Sequence, residues 1–151
     1  MQQRLDPAKI SPEGYKAYAG FQIASTKTDL EHSLIELVKI RASQINGCAF
    51  CLNMHVNDAR KLGERDERMH LLNAWRESPC YTDRERAALA WTEALTLIAE
   101  SHAPDDVYEE AKRHFSEKEL VELTYAIVAI NGWNRMMVAF RRPPVLEEAP
   151  R

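Results

Sequence analysis

The chain has 151 residues, 45% hydrophobic and 28% charged, with a net charge of -3. That length and balance fit one domain with a sizeable core, and they offer no hold for a nucleic-acid backbone or an anionic membrane surface. Three cysteines are too few for a secreted disulfide framework, and two of them stand as Cys-x-x-Cys at Cys48 and Cys51, which fits one redox pair in a reducing cytoplasm.

The opening MQQRLDPAKI has no apolar signal core. The most apolar stretch, around Leu120 to Val138, is broken by Glu122, Asn131, Asn134 and Arg135, so no membrane span is expected. Helix-type periodicity recurs from end to end, no pair of strands emerges, and the predicted class is all-α with six to seven helices.

Taken in order, Ser11-Pro12 opens a helix to about Ser25, with Tyr15, Tyr18, Ala19 and Ile23 on its apolar side. A second helix is expected from about Leu30 to Gln44, on a stripe of Leu30, Leu34, Leu37, Val38 and Ile45. Glu36 falls outside that stripe and reads as a surface charge near Lys39. After the turn signal Asn46-Gly47, a third helix runs from Cys48 to Leu62. Cys48, Cys51, Leu52, His55, Ala59 and Leu62 share one of its sides. Gly63 closes it.

A short helix from Asp66 to Trp75 then leads into the loop RESPCY. Thr82 and Glu85 form a capping box for a helix to about Glu100. Pro104 opens another to about His114, and Ser116 with Glu119 caps a last helix reaching Arg141. That helix is roughly 38 Å long if unbroken; Gly132 is its expected kink. Pro143-Pro144 stops it, leaving a domain of residues 1–142 and a tail from Pro143 to Arg151. LIELVKIRASQING before Cys48 echoes LVELTYAIVAING before Trp133, with one residue of slippage. Two related helical units and coincidence both account for the echo.

The chemistry concentrates in ELVKIRASQINGCAFCLNMH, from Glu36 to His55. Cysteines in a first helical turn face free N–H groups and the positive end of the helix dipole, and both favour a thiolate. Such surroundings lower a thiol from about 8.5 to roughly 3.5–7.5. His55, one turn after Cys51, is within reach as a base or proton shuttle. Cysteine, histidine and glutamate together are also zinc ligands, which leaves a metal site as the rival use of the same residues. Cys80 reads as a bystander thiol. His32, His70, His102 and His114 have no ligand spacing and read as surface residues. Tyr125, Trp133 and Asn134 line a pocket or serve the core and subunit contacts.

The pattern Glu, eleven residues, Cys, two residues, Cys, three residues, His resembles the active-site signature of alkylhydroperoxidase AhpD-like proteins, within the carboxymuconolactone decarboxylase family. SPEGYKAY, WRESPCYTDRERAALAWTEALT and INGWNRMMVAFR are similar to family segments as well, so the resemblance spans nearly the whole chain. It implies an antioxidant thiol peroxidase. Cys51 would be the peroxidatic thiol, Cys48 the resolving thiol and proton donor, and Glu36 and His55 a proton relay. The partners would be a hydroperoxide substrate and an external thiol or dithiol reductant protein, with no metal or organic cofactor needed. One departure is Phe50, where the best-studied branch has a second histidine. A thiol–disulfide exchange or redox-sensing module is the alternative, and a lactone decarboxylase ranks below it. The last helix is apolar nearly all round, and the family forms trimers or hexamers built from dimers, so a homo-oligomer is expected, a hexamer ahead of a trimer or dimer.

Overall fold

A computed structural model describes residues 2–146, and within them every regular element is helical. The order is α1 (Pro7–Ile10), α2 (Pro12–Ser25), α3 (His32–Ile45), α4 (Ala49–Lys61), α5 (Asp66–His70), a 3₁₀ turn (Leu72–Ala74), α6 (Asp83–Thr96), α7 (Ile98–Ser101), α8 (Asp105–His114) and α9 (Glu117–Ala139). Both expected capping boxes form. Thr82 and Ser116 each accept the N–H of the residue three on, and Glu85 and Glu119 reach back to the cap N–H. None of the described helices is long and apolar enough to cross a membrane.

The central helix is α3, which packs against α4, α6 and α9. Every residue from Leu34 to Ile40 is buried, Glu36 and Lys39 included. The surface reading of Glu36 is therefore corrected. A wheel with one apolar stripe assumes one covered side, whereas α3 is covered on several. Leu30, Leu34, Val38, Trp91, Phe115, Leu123 and Ile127 build the largest apolar cluster. Leu37, Ile40, Leu72, Trp75 and Leu89 form a second on the other side of α3. A third holds Ala42, Cys48, Cys51, Ile130 and Met137.

Several sequence boundaries move. The helix expected to reach Glu100 stops at Thr96. Leu97 leaves helical geometry, and the Ser101 hydroxyl donates to the Ala94 carbonyl at 2.6 Å, satisfying one of the carbonyls freed by the break. The stretch to Trp75 divides into α5 and the 3₁₀ turn. Ile23 and Leu62, each placed with an apolar side of its helix, are exposed. The last helix ends at Ala139. Tail residues 147–151 lie outside the described residues. Pro143 and Pro144 wall a cavity beside Cys48, and Asn53 donates to the Val145 carbonyl at 2.7 Å. The two asparagines aligned by the internal echo meet where α3 and α9 pack: Asn46 Nδ2 donates to Asn131 Oδ1 at 2.9 Å.

Gly132 marks a close approach. Tyr18 of α2 donates its hydroxyl to the Ala129 carbonyl at 2.7 Å. A Cβ on Gly132 would stand 1.9 Å from that hydroxyl oxygen. Gly132→Ala should therefore lower stability by about 1–3 kcal/mol, despite the better helix propensity of alanine. Urea unfolding of Gly132→Ala in the wild-type and Tyr18→Ala backgrounds checks this. The penalty should shrink markedly in the second.

Candidate active site

The turn between α3 and α4 fixes the cysteine pair. Gly47, at φ +63°, ends α3 in the left-handed region. Its N–H bonds to the Gln44 carbonyl at 3.2 Å, and the Cys48 N–H to the Ser43 carbonyl at 3.0 Å. Those two bonds close the helix as a Schellman motif. Cys48 then becomes the N-cap of α4. Its sulfur accepts the Cys51 N–H at 3.4 Å, where a serine or aspartate oxygen usually sits.

Both thiols are free and almost fully buried. The hydrogen bond from the Cys51 thiol is the largest influence on Cys48. Burial opposes it, but the Cys51 and Phe50 N–H groups add to it, and Cys48 comes down to about 6. Cys51 is pushed up by that same hydrogen bond, by burial and by the charge on Cys48. The two thiols titrate as a pair: the first proton is lost more readily than from a free thiol and the second is retained, with Cys48 the better-stabilised anion.

His55 and Glu36, paired in sequence only through the family resemblance, lie side by side. His55 Nδ1 lies 2.8 Å from Glu36 Oε2, and both side chains are buried. A carboxylate only accepts, so Nδ1 carries the proton and Nε2 is left for the other side of the ring. The other Glu36 oxygen takes Lys39 Nζ at 2.7 Å. Burial raises the Glu36 carboxyl, but His55 and Lys39 outweigh it and hold it below the usual carboxylate range. Sequence reasoning missed this role of Lys39; its i, i+3 spacing from Glu36 was the available signal.

Two cavities flank the pair. One, of about 260 Å³, is lined by Cys51, His55, Tyr15, Gln22, Phe50, Met54, Trp133 and Met137. The other, of about 330 Å³, exposes Cys48 to Val138, Arg141, Arg142 and the two prolines. Phe50 and Met137 belong to both walls and so partition them. Trp133 is held in the first wall by edge contacts with Tyr15 and Tyr18, ring centres 5.2 and 5.1 Å away. Tyr125 lies elsewhere, in a third cavity with Trp91 and Tyr108. Cys80 is remote from the pair and packs with the Trp75 and Tyr81 cluster.

Among the described residues, Glu36, His55 and Asp58 bring possible ligand atoms within 4.8 Å of one another. This differs from the cysteine-containing zinc set open to the sequence. Both Glu36 oxygens are already taken, one by an ammonium. That donor set fits the lysine it holds better than a second cation.

The model of the carboxymuconolactone decarboxylase family matches residues 12–94, a stretch that contains Glu36, Cys48, Cys51 and His55. The chain belongs to this family. Among carboxymuconolactone decarboxylase family proteins it is AhpD-like. It is 48% identical to a protein of unknown function from Agrobacterium tumefaciens, described as a candidate antioxidant defence protein AhpD. That crystal structure superposes with a TM-score of 0.94, over 97% of this chain and 100% of that one. The uncharacterized protein YdfG of Bacillus subtilis (strain 168) is 41% identical over 92% of this chain and 95% of its own. The debrominase Bmp8 shares the fold at 22% identity, with a TM-score of 0.76 over 93% of this chain and 74% of its own. At that distance the likeness concerns the fold, which does not by itself decide an activity.

Proposed function

We propose that this chain is a thiol peroxidase that reduces hydroperoxides in the cytoplasm, as part of antioxidant defence. The observation that carries the reading is that Cys51 and His55 share one apolar cavity, with His55 fixed by Glu36 and with Cys48 beside Cys51 as the N-cap whose sulfur accepts the Cys51 N–H. When a hydroperoxide enters, the proton between the sulfurs moves to Cys48 and frees the Cys51 thiolate. Cys51 attacks the O–O bond, which breaks as the S–O bond forms, and becomes a sulfenic acid, while the departing alkoxide takes from His55 Nε2 a proton drawn from solvent and leaves as the alcohol. The Cys48 thiol then displaces hydroxyl from the sulfenic sulfur, releasing water and closing a Cys48–Cys51 disulfide. An external dithiol returns two electrons by exchange.

The test combines thiol counting with peroxide consumption. One equivalent of an alkyl hydroperoxide should remove two titratable thiols and leave Cys80, and a supplied dithiol should restore them through repeated turnover. Three thiols surviving the oxidant would overturn the proposal. The lowered Cys48 thiol at a helix start also suits plain thiol–disulfide exchange. Reduction of a disulfide substrate without peroxide turnover would select that reading.

The functional form is proposed to be a homo-oligomer, a hexamer ahead of a trimer or dimer. Val121, Tyr125, Val128 and Val138 of α9 are each about half exposed on a helix otherwise built into the core. A row of apolar residues on one helix is the composition of a subunit contact. Light scattering at micromolar concentration should give a mass several times 17.3 kDa; a monomer mass would refute it.

A further inference from the structure

Asn134 is fully buried in the middle of α9. It stands between Ile130 and Met137, four residues after one and three before the other, and both of those pack on the cysteine pair. The same face of the helix therefore aims Asn134 at the sulfurs. Its orientation is fixed from two directions. Its Oδ1 accepts from Asn46 Nδ2 at 2.9 Å, and its Nδ2 donates to the Ser43 hydroxyl at 3.0 Å. Asn46 is itself held by Asn131, whose Nδ2 donates to Thr96 at 3.0 Å. A carboxamide has two N–H donors, and the Ser43 bond uses one of them. Because the oxygen is committed to Asn46, the amide cannot flip to present an acceptor.

We propose that the second Nδ2–H of Asn134 is a hydrogen-bond donor to the cysteine pair, and that it completes with the first-turn N–H groups of α4 the cradle holding the thiolate. This deepens the peroxidase reading and rests on the same thiol pair. Asn134 acts on both thiols in the lowering direction, the direction a donor to sulfur produces. A buried amide that already has its other partners loses no further solvation in making this bond, so the bond favours the charged form of sulfur over the neutral one.

Other charged and titratable groups surround the pair. His55 of α4 and Tyr15 of α2 line the Cys51 cavity, Arg141 and Arg142 line the Cys48 cavity, and Glu36 and Lys39 of α3 stand behind His55. Arg135 donates to the Asn131 carbonyl and side-chain oxygens at 2.9 and 3.1 Å, so it belongs to the same network without taking an Asn134 atom. None of these groups is removed when Asn134 is replaced, so a change in thiol titration on that replacement reports the amide.

The test is the thiolate absorbance titration of the reduced protein in a Cys80→Ser background, comparing Asn134 with Asn134→Ala and Asn134→Asp. The wild-type midpoint should lie near 6. Loss of one donor to a charged group should raise it by about one unit, reducing the thiolate fraction at pH 7 from about 90% to about 50%. Asn134→Asp, which swaps donors for a second anion, should raise it further. Folded variants that titrate as wild type would overturn the proposal. Should neither variant fold, the wild-type protein decides: the Asn134 side-chain amide resonances must move with the thiol midpoint, and amide signals flat across it overturn the proposal. Neither readout uses peroxide. An inactive protein with a coupled Asn134 would therefore sink the peroxidase reading alone, and an active one with an uncoupled Asn134 would sink this inference alone.

Discussion

Replacing Cys51 with serine is expected to reduce hydroperoxide turnover by a thousandfold or more, on the order of the loss seen when a covalent nucleophile is removed. The resting charge sits on Cys48, yet Cys51 is the thiol that opens into the cavity containing His55. A nucleophile needs both a reachable electrophile and a proton source for the leaving oxygen, and only the Cys51 cavity offers His55. Cys48 is the nearest acceptor for the Cys51 proton; because its lowered thiol is the weaker base, that transfer is uphill and forms part of the barrier to attack by Cys51. Cys48→Ser should slow the first step, because the acceptor for the Cys51 proton is gone, yet the sulfenic acid that forms on Cys51 should accumulate, because the resolving thiol is gone as well. Dimedone labelling with peptide mapping reads this directly. A label on Cys48 in the Cys51→Ser protein, with peroxide still consumed at the wild-type initial rate, would assign the attacking role to Cys48.

The helical class, the cysteine helix and both capping boxes were legible because each depends on local chemistry. Capping-box residues satisfy backbone groups within four positions, whatever packs on the helix later. Asn46-Gly47 likewise announced the turn that makes Cys48 an N-cap. What could not be read depended on how many neighbours a helix has. Glu36 looked exposed because a wheel finds one stripe, and α3 is covered on several sides. The last helix looked apolar nearly all round, which could not say which side meets the core; Val121, Tyr125, Val128 and Val138 reach the surface while α3 occupies the middle. Gly132 read as a kink because sequence records a missing side chain, not the Tyr18 ring that takes its place. The asparagine network was half visible: the echo placed Asn46 and Asn131 at matching points of two helices. That their side chains meet, and that Asn134 joins them, follows from the packing of α3 on α9.

Removal of the Glu36 carboxylate is expected to cost about 3–5 kcal/mol of folding stability, in a protein whose total is of the order of 5–15 kcal/mol. Lys39 and Glu36 side chains are 6% and 10% exposed, and Nζ to Oε1 is 2.7 Å. Glu36→Ala would leave the Lys39 ammonium buried with no counter-charge and His55 without its acceptor, and the unpaired charge dominates the loss. The carboxyl is held below its ordinary value of 4.5. Its contribution is therefore complete above the unfolded value and is lost as the pH falls through the folded one. The difference in urea midpoint between wild type and Glu36→Ala should be full at pH 7 and should shrink below about pH 4. Glu36→Gln together with Lys39→Met removes both charges and keeps the shape, so it should recover most of the stability. It should not recover turnover, since a neutral amide cannot stabilise a charged His55 during proton transfer. A double variant as stable as wild type and equally active would remove Glu36 from the relay and leave it as a structural counter-ion for Lys39. A Glu36→Ala loss below about 1 kcal/mol at pH 7 would mean that the ammonium finds water or another partner once the carboxylate is gone.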